Sequence, residues 1–310
     1  LIFSMFSVLF PGQGSQSVGM IKDLYDNFDY VKDLFKEADE TLKLSLSKII
    51  FEGPKSLLDE TENTQPAIFL VSFAIFKVIT RETAFDIKKA NFFAGHSLGE
   101  YSALACSEVL SFVDTIKLLK IRGKAMQNAV PKNEGAMLAV LGEEINNIIQ
   151  ILNNNKEKFN CYLANDNSDG QVVISGKNLD LDKLISEFKK LNIKNIRLPV
   201  SAPFHCILMR PATEVMKREI SNINFLVPKN SIVSNVTAKS NNDPNIIKNL
   251  LIEQIEKPVR WRESVLHMIS NGNQKFIEIG PGKVLSGLIK RIDRNVKTIQ
   301  VNNIMDLNNL

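Results

Sequence analysis

The fold is decided by the stretch NFFAGHSLGE, residues 91–100. Its first part, Asn91–Ala94, is a short apolar run of the kind that forms a buried strand, and a helix is predicted from Glu100 to about Leu110. Between the two lies a turn in which glycines flank Ser97. Strand, sharp turn and helix in this order predict an α/β fold whose sheet edge carries an exposed serine hydroxyl.

The segment before this turn supplies another strand and a core helix. Phe6–Phe10 is predicted as a buried strand rather than a signal peptide, because the chain start lacks a basic region and a small-residue cleavage site. Met5 is a candidate start, with Leu1–Ser4 as an upstream extension. From Thr64 to Thr80, apolar residues recur on all sides of a predicted helix, which is typical of a deeply buried one.

The middle of the chain changes to short alternating elements. The predicted order is strand, helix, strand, strand, helix and strand: Ala136–Leu141, Ile145–Asn153, Phe159–Ala164, Val172–Ser175, Leu181–Leu191 and Ile196–Leu198. This βαββαβ order is typical of a small ferredoxin-like unit, and Pro131 and Pro199 mark breaks near its ends. We therefore predict a catalytic subdomain from residues 1–131 and 200–310, with a ferredoxin-like subdomain, residues 132–199, inserted in it.

Composition narrows the class of protein. With 310 residues, 44% of them hydrophobic and 23% charged, the chain is typical of a globular enzyme with a sizeable core. No membrane segment is expected, because no apolar run reaches the ~20 residues needed to cross a bilayer. The net charge of +4 is too mild to favour nucleic-acid binding, but it suits an acidic partner or a phosphate-bearing substrate.

The three cysteines, Cys106, Cys161 and Cys206, show no paired or metal-ligand spacing. An odd and sparse set indicates a reducing, cytoplasmic environment and argues against a disulfide framework or a zinc site. We expect no metal, no redox cofactor and a monomer.

A nucleophilic serine needs a general base, and the chain has three histidines to choose from. His96 adjoins Ser97, and neighbouring side chains on such a turn diverge. His267 falls in a predicted helix, Arg262–Ile269. His205 follows a loop where the α/β pattern resumes, so elimination favours it as the base.

Acyl chemistry at a serine also needs two donors for the oxyanion. The N–H of Leu98, directly after the nucleophile, is the usual first donor. The Gly-rich segment Gly12–Gln16 follows the first strand and brings the N–H of Gln13 to the same sheet edge, although an ordinary glycine turn explains it equally well.

Arg122 lies on the second helix after the nucleophile. Judged from the residues alone, a solvated arginine beside Lys117, Lys120 and Lys124 is the better explanation.

Six blocks together carry a resemblance that no single one does. They are Phe10–Gln16 (FPGQGSQ), Gly95–Glu100 (GHSLGE), Ile121–Met126 (IRGKAM), Ser201–His205 (SAPFH), Gln254 with Pro258–Trp261 (PVRW), and Glu278–Gly282 (EIGPG). In this order, and spanning nearly the whole chain, they resemble the malonyl-CoA:acyl carrier protein transacylases of bacterial type II fatty acid synthesis.

The resemblance implies roles for the residues around the turn. Ser97 is expected to be acylated, with His205 as general base and then general acid. The backbone N–H groups of Gln13 and Leu98 are expected to form the oxyanion hole. Gln254 is expected to orient His205 through its main-chain carbonyl, in place of the acid of a hydrolase triad.

The resemblance also implies the substrates and the fold. Arg122 is expected to bind the malonyl carboxylate with its planar guanidinium, which a lysine cannot copy. Phe204 is expected to crowd the α-carbon and disfavour methylmalonyl. The implied fold is an α/β-hydrolase-like large subdomain with a ferredoxin-like small one. The implied partners are malonyl-CoA and an acidic acyl carrier protein, for which candidate docking residues are Lys117, Lys120, Lys124, Lys283, Lys290 and Arg291.

If only the residues are considered, without the resemblance, two other functions remain possible. A serine esterase or thioesterase has the same turn, but it is expected to place an acid between serine and histidine in the chain. Asp166 and Asp169 lie in that interval, within the small inserted unit, and neither is convincing. A non-catalytic scaffold that binds the carrier protein is the second alternative, disfavoured by intact Ser97, His205 and Arg122.

Overall fold

The computed structural model describes residues 5–310 and contains two sheets with helices packed around them. The strands are β1 (Phe6–Phe10), β2 (Phe92–Gly95), β3 (Gly135–Leu141), β4 (Cys161–Ser168), β5 (Gln171–Lys177), β6 (Lys194–Arg197), β7 (Ser231–Val233), β8 (Ser240–Asn241), β9 (Lys275–Ile279) and β10 (Lys297–Val301). The predicted extension, Leu1–Ser4, lies outside the described residues.

The helices cover both sheets. They are α1 (Lys22–Asn27), α2 (Asp29–Leu42), α3 (Leu46–Glu52), α4 (Lys55–Leu58), α5 (Thr61–Glu82), α6 (Gly99–Cys106), α7 (Phe112–Asn128), α8 (Ile145–Asn154), α9 (Asn178–Lys190), α10 (Arg210–Ser221), α11 (Pro244–Glu253), α12 (Trp261–Ser270) and α13 (Val284–Ile292). Short 3₁₀ helices lie at Ile87–Lys89, Ile207–Met209 and Met305–Asn309.

The larger sheet has the strand order β10-β9-β1-β2-β7-β8 within residues 5–310. Neighbouring strands from β10 to β7 are parallel, and β8 pairs antiparallel with β7 at the edge. Because the carboxyl ends of parallel strands meet at one edge, the residues that follow β1, β2, β7 and β9 come together there. Binding and catalytic groups of α/β proteins concentrate at this edge.

The smaller sheet has the order β4-β5-β3-β6, and each neighbouring pair is antiparallel. This arrangement, with α8 and α9 as its helices, confirms the predicted α/β fold with a ferredoxin-like unit. The unit has a hydrophobic core of its own, formed by residues between Ala136 and Ile193. We propose that the small subdomain comprises residues 132–199, and the large one residues 1–131 and 200–310.

Strand β4 joins the small sheet to the large subdomain. Its register shifts twice, between Leu163 and Asn165 and between Asp166 and Ser168. Bulges of this kind redirect side chains and are common next to active sites. The N–H of Asp166 donates to the carbonyl of Val259 at 2.9 Å, which anchors the redirected strand to the segment before α12.

Helix α5 is the buried helix expected around Thr64–Thr80. By length and composition it is long and apolar enough to cross a membrane, but 89% of its apolar window is buried inside the protein. It is therefore a core helix.

Several element boundaries differ from the prediction. The Gly-rich turn after β1 opens into a stretch, Val18–Tyr25, whose sequence predicts a helix, but the observed helix begins only at Lys22, because Gly19 and Ile21 adopt positive φ values of 87° and 53°. The helix after the serine turn ends at Cys106, and Glu108 takes the left-handed conformation with φ 63°. Helices α3 and α4 and strands β8 and β10 were not predicted.

Candidate active site

The turn between β2 and α6 is as sharp as the glycine pattern predicts. Ser97 has a φ of 54°, in the left-handed region that non-glycine residues rarely occupy. A Cβ on Gly95 would lie 1.9 Å from the carbonyl carbon of Gly99, and a Cβ on Gly99 would lie 2.2 Å from the carbonyl oxygen of Phe10. Only glycine fits at either position. The close approach thus holds Ser97 at the carboxyl edge of the sheet.

His205 is the histidine beside Ser97. Its Nε2 lies 2.7 Å from the serine Oγ, and its Nδ1 lies 2.9 Å from the carbonyl oxygen of Gln254. Because a carbonyl only accepts, Nδ1 carries the proton and Nε2 is free to accept one from the hydroxyl. Burial, reinforced by the nearby charge of Arg122, lowers the pKa of His205 to about 3. The imidazole is therefore neutral at pH 7, as a general base must be.

The other two histidines lie in separate environments. Nε2 of His96 lies 2.8 Å from Oδ1 of Asn167, and its ring packs against Trp261 with centroids 5.6 Å apart. His267, on α12, accepts a hydrogen bond from the N–H of Ser240 at 3.3 Å. Neither His96 nor His267 contacts the Ser97 hydroxyl. The geometry therefore agrees with the expectation that His205 is the base.

The two acids of the hydrolase alternative do not contact the histidine base. Asp166, 2% exposed, forms an ion pair with Arg262 at 2.9 Å. Asp169 lies 3.9 Å from the same guanidinium. The third partner of the serine–histidine pair is instead the neutral carbonyl of Gln254.

Arg122 is fully buried, at 0% exposure, so the explanation as a solvated arginine is wrong. Nη1 donates to Oε1 of Gln65 and Nη2 to Oε1 of Gln254, each at 2.8 Å. Nη2 also lies 3.2 Å from Oγ of Ser97. The guanidinium Nε has no acceptor among the described residues. A buried planar cation with a free donor beside a nucleophile is suited to bind a carboxylate.

The side-chain amide of Gln254 connects the elements of the site. Its Nε2 donates to the carbonyl of Ser97 at 3.0 Å, to Oε2 of Glu100 at 2.8 Å and to Oδ1 of Asn235 at 3.2 Å. Asn235 in turn accepts from the N–H of Ser97 at 2.8 Å and donates to the carbonyl of Gly95 at 2.7 Å. The network fixes the serine turn against the loops that carry Gln254 and Asn235.

Sequence reasoning missed three residues of this network, namely Gln65, Glu100 and Asn235. Asn235 follows the carboxyl end of β7, the same position relative to its strand that the serine turn has to β2. Gln65 belongs to a polar segment, residues 61–65, that begins an otherwise apolar helix. These two patterns, an asparagine just after a strand and a polar segment at the start of an apolar helix, are visible in the sequence and indicate a buried polar contact.

The predicted oxyanion donors lie at the same cavity as Ser97. Gln13 and Leu98 line it, and the backbone N–H of neither has a hydrogen-bond acceptor among residues 5–310. Gly12 brings the first loop close, since a Cβ there would lie 2.6 Å from the carbonyl oxygen of His96.

The cavity at the serine has a volume of about 100 Å³ and is lined by both subdomains. Met137 and Asn165 come from the small unit, and Phe204, which is 6% exposed, closes the side next to His205. This volume is far below that of a site for a drug-sized ligand, so the space directly at Ser97 suits a short acyl group. Two larger cavities adjoin it, of about 360 Å³ next to Gln13 and about 530 Å³ next to His205. No cluster of metal-ligating side chains occurs in the described part of the chain.

The fold and the serine–histidine pair place the chain in a known class. Residues 7–307 match the acyl transferase domain family, a range that takes in both sheets and the residues of the site. The class is thus that of enzymes that transfer acyl groups.

Similar proteins narrow this class. A malonyl CoA-acyl carrier protein transacylase of Haemophilus influenzae is 41% identical over 304 residues, which are 98% of this chain and 97% of the relative. The crystal structure of an acyl-carrier-protein-S-malonyltransferase from Bartonella henselae matches with a TM-score of 0.95 at 40% identity, covering 98% of each chain. A malonyl-transacylase in complex with its type II PKS acyl-carrier protein matches with a TM-score of 0.94 at 37% identity, also covering 98% of each chain. The chain belongs to the malonyl CoA-acyl carrier protein transacylase family.

Proposed function

We propose that the protein transfers a malonyl group from malonyl-CoA to the phosphopantetheine thiol of an acyl carrier protein, through a malonyl ester on Ser97. The observation that carries this proposal is the buried guanidinium of Arg122, whose Nη2 lies 3.2 Å from the serine Oγ. A three-carbon acyl group on that oxygen places its free carboxylate within reach of the guanidinium. An acyl group without a carboxylate gains nothing from this contact.

The reaction proceeds in two halves that use the same residues. His205 takes the hydroxyl proton of Ser97 as the oxygen attacks the thioester, the C–S bond breaks, and the proton passes to the leaving thiol of CoA. In the second half the carrier thiol gives its proton to His205 and attacks the malonyl ester, and Ser97 recovers the proton. No metal or redox cofactor enters either half.

The surrounding groups stabilise the two tetrahedral intermediates. The N–H groups of Gln13 and Leu98 donate to the oxyanion, each contributing several kcal/mol to the barrier reduction by analogy with other oxyanion holes. Gln254 holds the His205 ring through its carbonyl, which favours the tautomer with a free Nε2. Phe204 limits the space beside the acyl α-carbon.

The two alternatives predict different products. A hydrolase would release CoA continuously without a carrier, and a scaffold would form no acyl adduct. The neutral partner of His205 supports transfer, because the carbonyl of Gln254 stands where a hydrolase triad has an acid.

The remaining features of the proposal concern the partner and the setting. An acidic carrier protein suits the net charge of +4, and the basic surface residues on α7 and at or near α13 are candidates for the contact. Cysteines without pairing, two of them buried, fit a cytoplasmic enzyme. We expect it to act as a monomer.

The test is intact-mass spectrometry after brief exposure to malonyl-CoA. The expected result is one malonyl adduct, absent from the Ser97→Ala variant and discharged when carrier protein is added. Absence of an adduct would leave only the scaffold, and rapid CoA release without an acceptor would favour the hydrolase.

A further inference from the structure

Glu100 is a buried carboxyl to which the acyl transfer described above gives no role. It lies in the first turn of α6 and is 1% exposed. Its Oε2 accepts hydrogen bonds from Nε2 of Gln254 at 2.8 Å and from the N–H of Asn235 at 3.1 Å. A carboxyl this deeply buried keeps a negative charge only where donors and a positive charge stabilise it.

One side-chain amide separates Glu100 from Arg122. Oε1 of Gln254 accepts from Nη2 of Arg122 at 2.8 Å, while Nε2 of the same amide donates to Glu100. The direct hydrogen-bond partners of Arg122, Gln65 and Ser97 included, are neutral. Glu100 is therefore the carboxyl whose charge acts on the buried guanidinium when no substrate is present.

The charges that act on Glu100 are few. Burial raises its pKa to about 7, against the opposing hydrogen bonds from Asn235 and Gln254 and the charge of Arg122 on α7. Tyr101, the next residue on α6, is neutral at this pH because burial raises its pKa to about 12. Strands β1 and β2 and helix α5 also pack against α6, and among the described residues they add no charge that shifts the pKa of Glu100.

We propose that Glu100 is a specificity-determining residue that competes with the substrate carboxylate for Arg122. Its ionised fraction is larger when the pocket is empty or holds an uncharged acyl group, and it falls when the malonyl carboxylate lies on the guanidinium. Protonation of Glu100 thus reduces the negative charge in the buried pocket when a second carboxylate enters it. The inference rests on the proposed function, and it adds the uptake of a proton from solvent when the malonyl-enzyme forms.

The proton balance makes the proposal measurable. Acylation forms the Ser97 ester bond and breaks the C–S bond, and the hydroxyl proton leaves on the CoA thiol. A thiol with a pKa near 8.5 stays almost fully protonated at pH 7, so the chemistry itself neither releases nor takes up a proton. A proton taken up on malonylation must then come from solvent and bind to the protein.

The first experiment measures proton uptake in a weakly buffered indicator solution at pH 7. With a pKa of about 7, about half of Glu100 is ionised at pH 7, and if the malonyl carboxylate raises that pKa by about one unit, about 0.4 proton per malonyl-enzyme is taken up. Acetyl-CoA should cause no uptake. Glu100→Gln keeps the acceptor for Gln254 but cannot titrate, and its uptake should fall to near zero.

The matched control is Glu278→Gln. Glu278 is also 1% exposed, with a pKa raised by burial to about 7, but it accepts from the N–H groups of Leu285 and Ser286 and feels no charge from Arg122. Its replacement should leave the proton uptake on malonylation unchanged.

The second experiment measures the equilibrium constants for acylation by malonyl-CoA and by acetyl-CoA, because their ratio cancels the ionisation of CoA. In the unmodified protein this ratio should fall about fivefold from pH 6 to pH 8, since protons are taken up only with malonyl. In Glu100→Gln the ratio should be constant and should exceed the unmodified value at pH 8.

The outcomes separate this inference from the proposed function. If the unmodified protein forms no malonyl adduct, the proposed function fails. If the adduct forms without proton uptake, or if Glu100→Gln takes up as many protons as the unmodified protein, the proposed role of Glu100 is wrong while the transfer stands.

Discussion

Nη2 of Arg122 lies 3.2 Å from Oγ of Ser97, and the guanidinium is sealed from solvent. The cation therefore contacts the serine hydroxyl directly from beneath the cavity surface, and an acyl group on the serine oxygen lies beside the charge. A buried polar group left without its partner costs free energy, and an acyl group without a carboxylate leaves the guanidinium unpaired. The short distance between Arg122 and Ser97 therefore favours acyl groups that carry a carboxylate.

Replacing this arginine tests the carboxylate contact directly. Arg122→Ala should lower kcat/KM for malonyl-CoA by on the order of 30- to 1000-fold, the loss of about 2–4 kcal/mol from one buried charged contact. The value for acetyl-CoA should change much less. Arg122→Lys keeps the charge but cannot hydrogen-bond Gln65 and Gln254 in the same plane, and should fall in between. Equal losses for both substrates would contradict a carboxylate contact.

The environment of His205 predicts an unusual pH profile. Its pKa is lowered to about 3 by burial and by Arg122, so the neutral base persists well below the ordinary value of 6.5. The rate of Ser97 acylation by acetyl-CoA, which brings no carboxylate into the pocket, should change by less than about twofold from pH 7 to pH 5. Stopped-flow measurement of CoA release in the first turnover gives this rate. An inflection near pH 6.5 that persists in Glu100→Gln, which removes the other group titrating near this pH, would mean that the histidine titrates normally.

The same pKa affects stability with a defined sign. The folded protein holds His205 neutral, whereas the unfolded chain protonates it below about pH 6.5. Unfolding therefore takes up a proton at His205 between pH 6.5 and 3, and the contribution of this residue to the free energy of unfolding should fall as the pH is lowered through that window. Glu100 and Glu278 act in the opposite direction between about pH 7 and 4.5, because burial raises their pKa values to about 7 in the folded protein. The contribution of His205 is therefore measured as a difference: in urea titrations, His205→Gln should gain stability relative to the unmodified protein as the pH falls from 6.5 to 3.

Two glycines with opposite surroundings provide a paired test of the serine turn. A Cβ on Gly95 would lie 1.9 Å from the backbone of Gly99, so Gly95→Ala should open the turn and abolish acylation of Ser97. Gly287 lies exposed within α13 with no atom within 4 Å of such a Cβ. Gly287→Ala should raise the free energy of unfolding by about 0.5–1 kcal/mol, as alanine does in a helix interior. Urea unfolding measures the free energy of unfolding of each variant, and mass spectrometry measures its acyl adduct. The same stability and the same adduct formation in Gly95→Ala and Gly287→Ala would contradict the steric argument.

The sequence pattern predicts those strands and helices whose ends are marked by nearby residues in the sequence, such as glycine and proline. The sequence pattern predicts strands at Phe6–Phe10 and Lys275–Ile279 and a helix from Val284 to Ile292, and β1, β9 and α13 have these bounds, because each element adjoins a glycine or proline turn on at least one side. β10, with the sequence KTIQV, was missed because a half-buried edge strand carries too short a pattern. The ends of α1 and α6 depend on single residues with positive φ, which pattern alone does not reveal.

The residues of the proposed active site can be predicted only in part, because several of their contacts depend on the order of strands in the sheet. Ser97 and His205 carry recognisable chemistry, whereas Asn235 meets Ser97 across 138 residues of chain, through a contact that depends on β7 pairing with β2. The burial of Arg122 was likewise not visible in its helix, which has lysines around it. Contacts between residues far apart in the sequence depend on the order of strands in the sheet, so they can be assigned only once the fold is known.

Phe204 provides the test of side-chain selectivity. It lines the cavity of about 100 Å³ at Ser97 and is 6% exposed, so we expect its ring to limit the space next to the acyl α-carbon. Phe204→Ser should free that space and raise the ratio of methylmalonyl to malonyl transfer at least tenfold, because one methyl group in a tight site is worth about 1–3 kcal/mol. The substitution leaves the hydrogen bond from Ser175 to the backbone carbonyl of residue 204 available, which favours folding. Competition between the two CoA thioesters, followed by mass spectrometry of the Ser97 adduct, measures the ratio, and a ratio unchanged in a folded variant would show that another group limits the acyl α-carbon.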